Sequence, residues 1–134
     1  NQISSTIELE VLKALLSPNK INFKSRFLVR YGEKIQSVPI EDISFFYSEE
    51  RVTFLQTQEG KKYVLDSTLE QTEAQINPRD FFRLNRKYLC NMNSIEGIFS
   101  YSNSRLKVTL KNCTDQDILI SREKVSDFKE WLDQ

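Results

Sequence analysis

The sequence predicts a mainly β chain: small antiparallel sheets with one short middle helix and one C-terminal helix. Three observations carry this. Apolar residues alternate at period two in at least seven short runs, from residue 21 to residue 120. Tight polar connections separate those runs. Beyond residue 20, helical signals appear only at 66–76 and at 125–132. With 134 residues, nine Phe, five Tyr and one Trp, the chain has the length of one domain and the side chains for an ordinary core. Three Gly and three Pro are too few for a low-complexity chain.

Residues 1–20 read as a separate N-terminal helix or linker. Ser4-Ser5-Thr6 caps it, Glu8 and Glu10 suit its first turn, and Ile7, Val11, Leu12 and Leu15 make one apolar stripe before Ser17-Pro18-Asn19 stops it. That stripe docks on its own domain, on a second copy or on a neighbouring domain. Residues 21–134 form the β domain. Ile21, Phe23, Phe27, Val29 and Tyr31 alternate with Asn22, Lys24, Arg26 and Arg30 as a half-buried strand, and Gly32-Glu33-Lys34 turns the chain. Ile35 and Val38 lie in a second strand that ends near Pro39, and Ile43 to Tyr47 is a dense β-prone run. Ser48-Glu49-Glu50-Arg51 reads as a hairpin connection to a strand over Val52 to Thr57. Glu59-Gly60 turns into Tyr63 to Leu65.

The middle helix starts at Asp66-Ser67-Thr68-Leu69-Glu70. Ser67 or Asp66 is the cap, and Glu70 sits three residues past Ser67, the capping-box spacing. It ends before Asn77-Pro78. After residue 91, Ile95 to Tyr101 is a strand, and Leu106, Val108 and Leu110 alternate with Arg105, Lys107, Thr109 and Lys111. Ile118 and Ile120 belong to the last strand. Val125, Phe128 and Leu132 share one face of the C-terminal helix, with Trp131 at its edge.

Chemistry concentrates in Phe81-Phe82-Arg83-Leu84-Asn85-Arg86-Lys87-Tyr88-Leu89-Cys90-Asn91. Its apolar residues are too dense for a free loop, whereas Arg83, Arg86 and Lys87 cannot be buried without partners. The stretch therefore reads as an anchored scaffold that projects cations outward. Ile120-Ser121-Arg122-Glu123-Lys124 repeats the logic at a strand-to-helix junction. Anchored cations at element ends suit an anion, and nucleic acid is the largest class of candidates. The bland alternatives are a solvated connection around buried aromatics and, for Arg105, Lys107 and Lys111, a solvated sheet face or protected edge.

Other classes are disfavoured. Charge is balanced, nineteen cations against nineteen anions, so nucleic-acid binding has to come from local clustering. There is no histidine, which excludes Ser-His-Asp and Cys-His catalysis and His-based metal sites in this chain. No glycine-rich phosphate loop is present and no acid pair stands out, so no enzyme activity, metal or cofactor is expected. Cys90 reads as a buried small hydrophobe, and two cysteines require no disulfide. No apolar run approaches the roughly 18 residues of a membrane span, and no signal peptide is legible, so the expected location is cytoplasmic.

Taken in order, several fragments resemble the LytTR family, the DNA-binding output domains of bacterial two-component response regulators. The fragments are Ile43-Ser44-Phe45-Phe46-Tyr47-Ser48, then Ser67-Thr68-Leu69-Glu70, then Phe82-x-Arg-Leu-Asn-Arg-Lys-Tyr-Leu-Cys-Asn with Ile95 following, then Ile120-Ser121-Arg122. The resemblance runs from about residue 21 to 133. It implies about ten strands in three small antiparallel sheets, with two loops and a helix junction entering successive major grooves, commonly at direct repeats. By matched position, Arg86 and Arg122 would read bases, and Arg51, in the loop with Glu49 and Glu50, would make a third base contact. Asn85, Lys87, Ser121 and Lys124 would bind the DNA backbone, and Asn91 would tie its loop. Asn85 stands where the family usually has His, and Lys87 where it has Ser. Asn pairs with adenine and Lys with phosphate or guanine, so the preferred sequence should differ.

The resemblance thus implies sequence-specific duplex DNA binding as the output module of a transcriptional response regulator. A receiver domain upstream and a homodimer are the further partners it suggests. The alternative is a β-rich protein-interaction module without DNA affinity, whose cations would be paired with acids of the same domain. A single-strand binder using Tyr47, Tyr88 or Tyr101 as stacking platforms is a third reading.

Overall fold

The computed structural model describes residues 23–134; the helix expected over residues 7–15 lies outside them. Ten strands form two antiparallel sheets. The first has seven strands: β1 (Arg26–Tyr31), β2 (Lys34–Pro39), β3 (Ile43–Glu49), β4 (Val52–Thr57), β5 (Lys62–Leu65), β6 (Phe81–Arg83) and β7 (Tyr88–Asn91), in the order β2-β1-β5-β4-β3-β7-β6. The second has β8 (Ile95–Tyr101), β9 (Arg105–Leu110) and β10 (Ile118–Leu119), in the order β10-β9-β8. Helix α1 (Leu69–Gln75) links β5 to β6, and α2 (Val125–Leu132) closes the chain.

Two sheets replace the three that the resemblance implied. The pairing Arg30↔Val64 joins the β1–β2 hairpin to β5, and Phe46↔Leu89 joins the β6–β7 hairpin to β3. Hairpins that could have stood apart thereby share one continuous ladder. The first strand starts at Arg26, with Phe23 to Ser25 outside it. The stretch at 81–91 holds two strands that the apolar density did not announce, because each is only three or four residues long.

The large sheet is buried on both faces where it matters. Phe27, Val29, Phe46, Leu55, Phe81 and Leu89 pack on one face with Leu69 of α1. Phe45, Tyr47, Tyr88 and Cys90 pack on the other with Val108, Ile118, Phe128 and Trp131 from the small sheet and α2. Successive residues of a strand point to opposite faces, so Phe45 and Phe46, like Leu89 and Cys90, feed different cores. This explains why these strands read as continuous apolar runs instead of alternating ones. Tyr47 and Tyr88 are buried, which removes them as stacking platforms; Tyr101 stays exposed.

Two helix details differ from the sequence reading. The cap of α1 is Thr68, not Ser67 or Asp66, and the capping box closes on Gln71: the Gln71 N–H donates to Thr68 Oγ1 (3.1 Å) and the Thr68 N–H to Gln71 Oε1 (2.9 Å). Starting one residue later turns Leu69 and Thr72 into the core and leaves Glu70 free for another partner. Trp131 is buried, not at an edge. Its ring lies 5.3 Å from that of Phe82, and its Nε1–H donates to the Arg79 carbonyl at 2.9 Å.

Candidate nucleic-acid interface

The loop Leu84-Asn85-Arg86-Lys87 joins β6 to β7. Its anchors are Leu84, fully buried, and Tyr88. The Leu84 N–H closes the loop on the Tyr88 carbonyl at 2.9 Å. Within it, Asn85 Oδ1 accepts from the Lys87 N–H (2.8 Å) and the Tyr88 N–H (3.0 Å), a local turn that holds the backbone between them. The Asn85 amide Nδ2 donates to the Leu119 carbonyl at 2.7 Å. Both ends of this side chain are thus engaged within the protein.

Arg83 corrects an expectation. It does not project outward but is buried at 8% exposure, on the α1 side of the sheet. Its Nε–H donates to the Asn85 carbonyl (2.6 Å) and Nη2 to the Arg86 carbonyl (2.9 Å), while Nη1 meets Glu73 (3.0 Å) and Nη2 meets Glu70 (3.2 Å). Residues 70 and 73 share one helix face. That spacing, with an Arg set among the apolar residues Phe81, Phe82 and Leu84, was the available signal for a buried partner.

The second cationic segment lies against the first. Ser121 N–H donates to the Leu84 carbonyl at 3.1 Å, and Lys124 Nζ approaches the Arg83 carbonyl at 3.4 Å. Ser121 precedes a 3₁₀ turn over Arg122–Lys124 that leads into α2, and the Lys124 N–H donates back to the Ser121 carbonyl at 2.8 Å. From the other side, the Ser48 N–H donates to the Lys87 carbonyl at 2.9 Å. Lys87 Nζ lies 4.0 Å from a Glu49 carboxylate oxygen and over the Tyr88 ring at 5.6 Å. The β3–β4 turn is therefore next to the same loop. Its central residues, Glu50 and Arg51, have φ of 50° and 67°.

Three separate segments of sequence thus form one contiguous surface: the turn at 49–52, the loop at 84–87 and the junction at 119–124. Arg51, Arg86 and Arg122 are exposed on it. Among the described residues, none of the three pairs with a carboxylate. Asn85, Lys87, Ser121 and Lys124 are only partly exposed. Arg105, read from sequence as a solvated or edge cation, also reaches this region, donating from Nη2 to the Ile120 carbonyl at 3.1 Å. Alternation along β9 could not reveal this, because the partner is 15 residues away.

The surface offers guanidinium groups. Among the described residues no group of three His, Cys, Asp or Glu could hold a metal ion. No described helix is long and apolar enough to cross a membrane.

Comparison with known proteins adds the remaining facts. The family model for the LytTr DNA-binding domain matches residues 33–133. The transcriptional regulatory protein YpdB of Escherichia coli K12 is 31% identical over 100 residues, covering 75% of this chain and 40% of that protein. The transcriptional regulatory protein LytR of Staphylococcus aureus is 25% identical over 116 residues, covering 87% of this chain and 46% of that protein. The chain therefore spans less than half the length of these curated relatives. Among solved structures, the LytTr DNA-binding domain of a Bacillus cereus protein described as a methyl-accepting/DNA response regulator superposes with a TM-score of 0.70 at 19% identity. It covers 81% of this chain and 97% of that one.

Proposed function

The chain belongs to the LytTR family of DNA-binding domains, and from that premise we propose that it reads duplex DNA in a sequence-specific way as the output module of a bacterial transcriptional response regulator. Residues 21–134 would be the reading domain, and residues 1–20 the link to an upstream receiver domain or to a second copy. The observation that supports this most is the fate of the cations. Arg83 is consumed by Glu70 and Glu73, and Lys87 by Glu49 in part. Arg51, Arg86 and Arg122 have no such partner among the described residues and lie on adjoining segments. A protein-interaction module with internally neutralised cations predicts the opposite.

In this reading Arg86 and Arg122, and Arg51 from the hairpin turn, enter the major groove and read base edges. A bidentate Arg–guanine pair gives about 1–3 kcal/mol of discrimination. Lys87, Ser121 and Lys124 hold the phosphate backbone. Asn85 joins them only through the loop it organises, since its amide is already bonded to Leu119 and to the loop's own N–H groups. Short turns and hydrogen-bonded loops hold the backbone from which these side chains leave, so little is lost to ordering the main chain on binding.

The test is selection from a random duplex library with this chain near physiological salt, followed by sequencing. Enrichment of a short motif, repeated about one helical turn apart, is the expected result. Equal recovery of all duplexes, persisting when two copies are joined by a fused coiled coil, would overturn the reading.

A further inference from the structure

The reading loop is clasped from behind by a charged side chain that does not reach the surface it serves. Arg83 spends four of its guanidinium N–H groups: two on the carbonyls of Asn85 and Arg86, and two on the carboxylates of Glu70 and Glu73. The two carbonyls flank the α-carbon of Arg86, so the guanidinium fixes the peptide planes from which the Arg86 side chain departs. The carboxylates are on α1, an element that contributes nothing else to the surface. Glu70 is 74% exposed and Glu73 45%, whereas Arg83 is buried. A buried guanidinium needs its charge answered, and a planar fork holds its direction only if both ends are bonded.

We propose that Arg83 is the positioning residue of the reading loop and that Glu70 and Glu73, through it, set the direction in which Arg86 is presented to DNA. This rests on the DNA-reading function above. It makes α1 a second determinant of sequence preference, distant from the bases.

The test uses the whole chain carrying Glu70→Gln together with Glu73→Gln, which keeps side-chain volume and an acceptor oxygen at each position while removing the charge. Without DNA, the readout is amide hydrogen exchange at Lys87 and Tyr88, whose N–H groups bond Asn85 Oδ1. The expected result is exchange faster by about three- to tenfold, the scale of replacing a charge-assisted hydrogen bond by a neutral one discounted for the exposure of the carboxylates, with the β3–β4 ladder changed much less. No change at Lys87 and Tyr88 overturns the proposal. An equal rise in exchange throughout the sheet also overturns it, since that marks ordinary destabilisation. With a selected duplex, the ratio of specific to random affinity should fall by a similar factor while the salt slope stays the same, because no phosphate contact is removed. In an Arg86→Ala background the same pair should cost no further specificity; an additive loss shows that α1 acts by another route and overturns the proposal. If the chain selects no duplex even when two copies are joined by a fused coiled coil, the DNA-reading function fails, while the exchange result still decides whether α1 holds the loop.

Discussion

At the scale of single residues, the division between buried and free cations separates what each substitution should do. Arg86→Ala and Arg122→Ala should each relax sequence preference by about 1–3 kcal/mol and leave the melting temperature unchanged. An unaltered selected motif in both variants would remove them from the base-reading set. Lys87→Ala and Lys124→Ala should weaken every duplex alike and lower the salt slope by about one unit each; titrations at several salt concentrations decide this. Glu70 gives a pH signature. Its carboxyl lies below the ordinary value of 4.5, first through a hydrogen bond from its own backbone N–H at the helix start, then through Arg83. A depressed carboxyl stabilises the fold above its unfolded value, and that contribution is lost as pH falls through the lower folded value. Glu70→Gln should therefore lower the melting temperature slightly near neutrality, with the difference from the parent closing on acidification below 4.5. A difference that is constant across that range would disconnect Glu70 from the fold. Cys90 behaves oppositely: burial pushes its thiol up to about 12. It should resist alkylation in the folded chain near neutral pH, where the thiolate is the reactive form, and react only after unfolding. Mass spectrometry of the alkylated chain reads this directly.

At the scale of elements, a tight turn holds one part of the candidate surface. The β3–β4 turn places Glu50 and Arg51 in the left-handed region, which non-glycine residues occupy at a cost of roughly 1–2 kcal/mol each. Asn-Gly is the pair that such a two-residue hairpin turn favours. Glu50→Asn with Arg51→Gly should raise the melting temperature by about 4 °C while removing one guanidinium from the surface, so stability and specificity should move in opposite directions. An equal or lower melting temperature would show that the turn is not strained. Much of this level was legible beforehand. The hairpin connection, the strand over Val52 to Thr57 and the strand from Ile95 to Tyr101 follow from alternation and turn chemistry alone. The short strands β6 and β7 did not, because three or four residues give no period, and their pairing depends on β3 lying beside them.

At the scale of the molecule, one seven-stranded sheet serves two cores, and the candidate surface forms where its β3-β7-β6 end meets the small sheet and α2. Phe128 sits at that meeting point, fully buried beside Phe82 and Trp131. Phe128→Ala should cost about 3–5 kcal/mol and should disturb the 121–124 junction with it, so stability and DNA affinity should fall together. That contrasts with Arg122→Ala, which should affect DNA alone. Denaturant unfolding measured beside duplex titration distinguishes the two. Chain order and residue type were enough to indicate a β-rich domain, its two helical segments and the cationic stretches around residues 86 and 122, because alternation, caps and turns are local properties. They were not enough to show that Arg83 turns inward, that Asn85 spends its amide on Leu119, or that segments some 35 residues apart form one surface. A cation's role depends on the carboxylates and carbonyls that packing brings within hydrogen-bond reach. Those neighbours come from distant parts of the chain, so only the assembled fold distinguishes the arginine that holds the loop from the arginines left free on its surface.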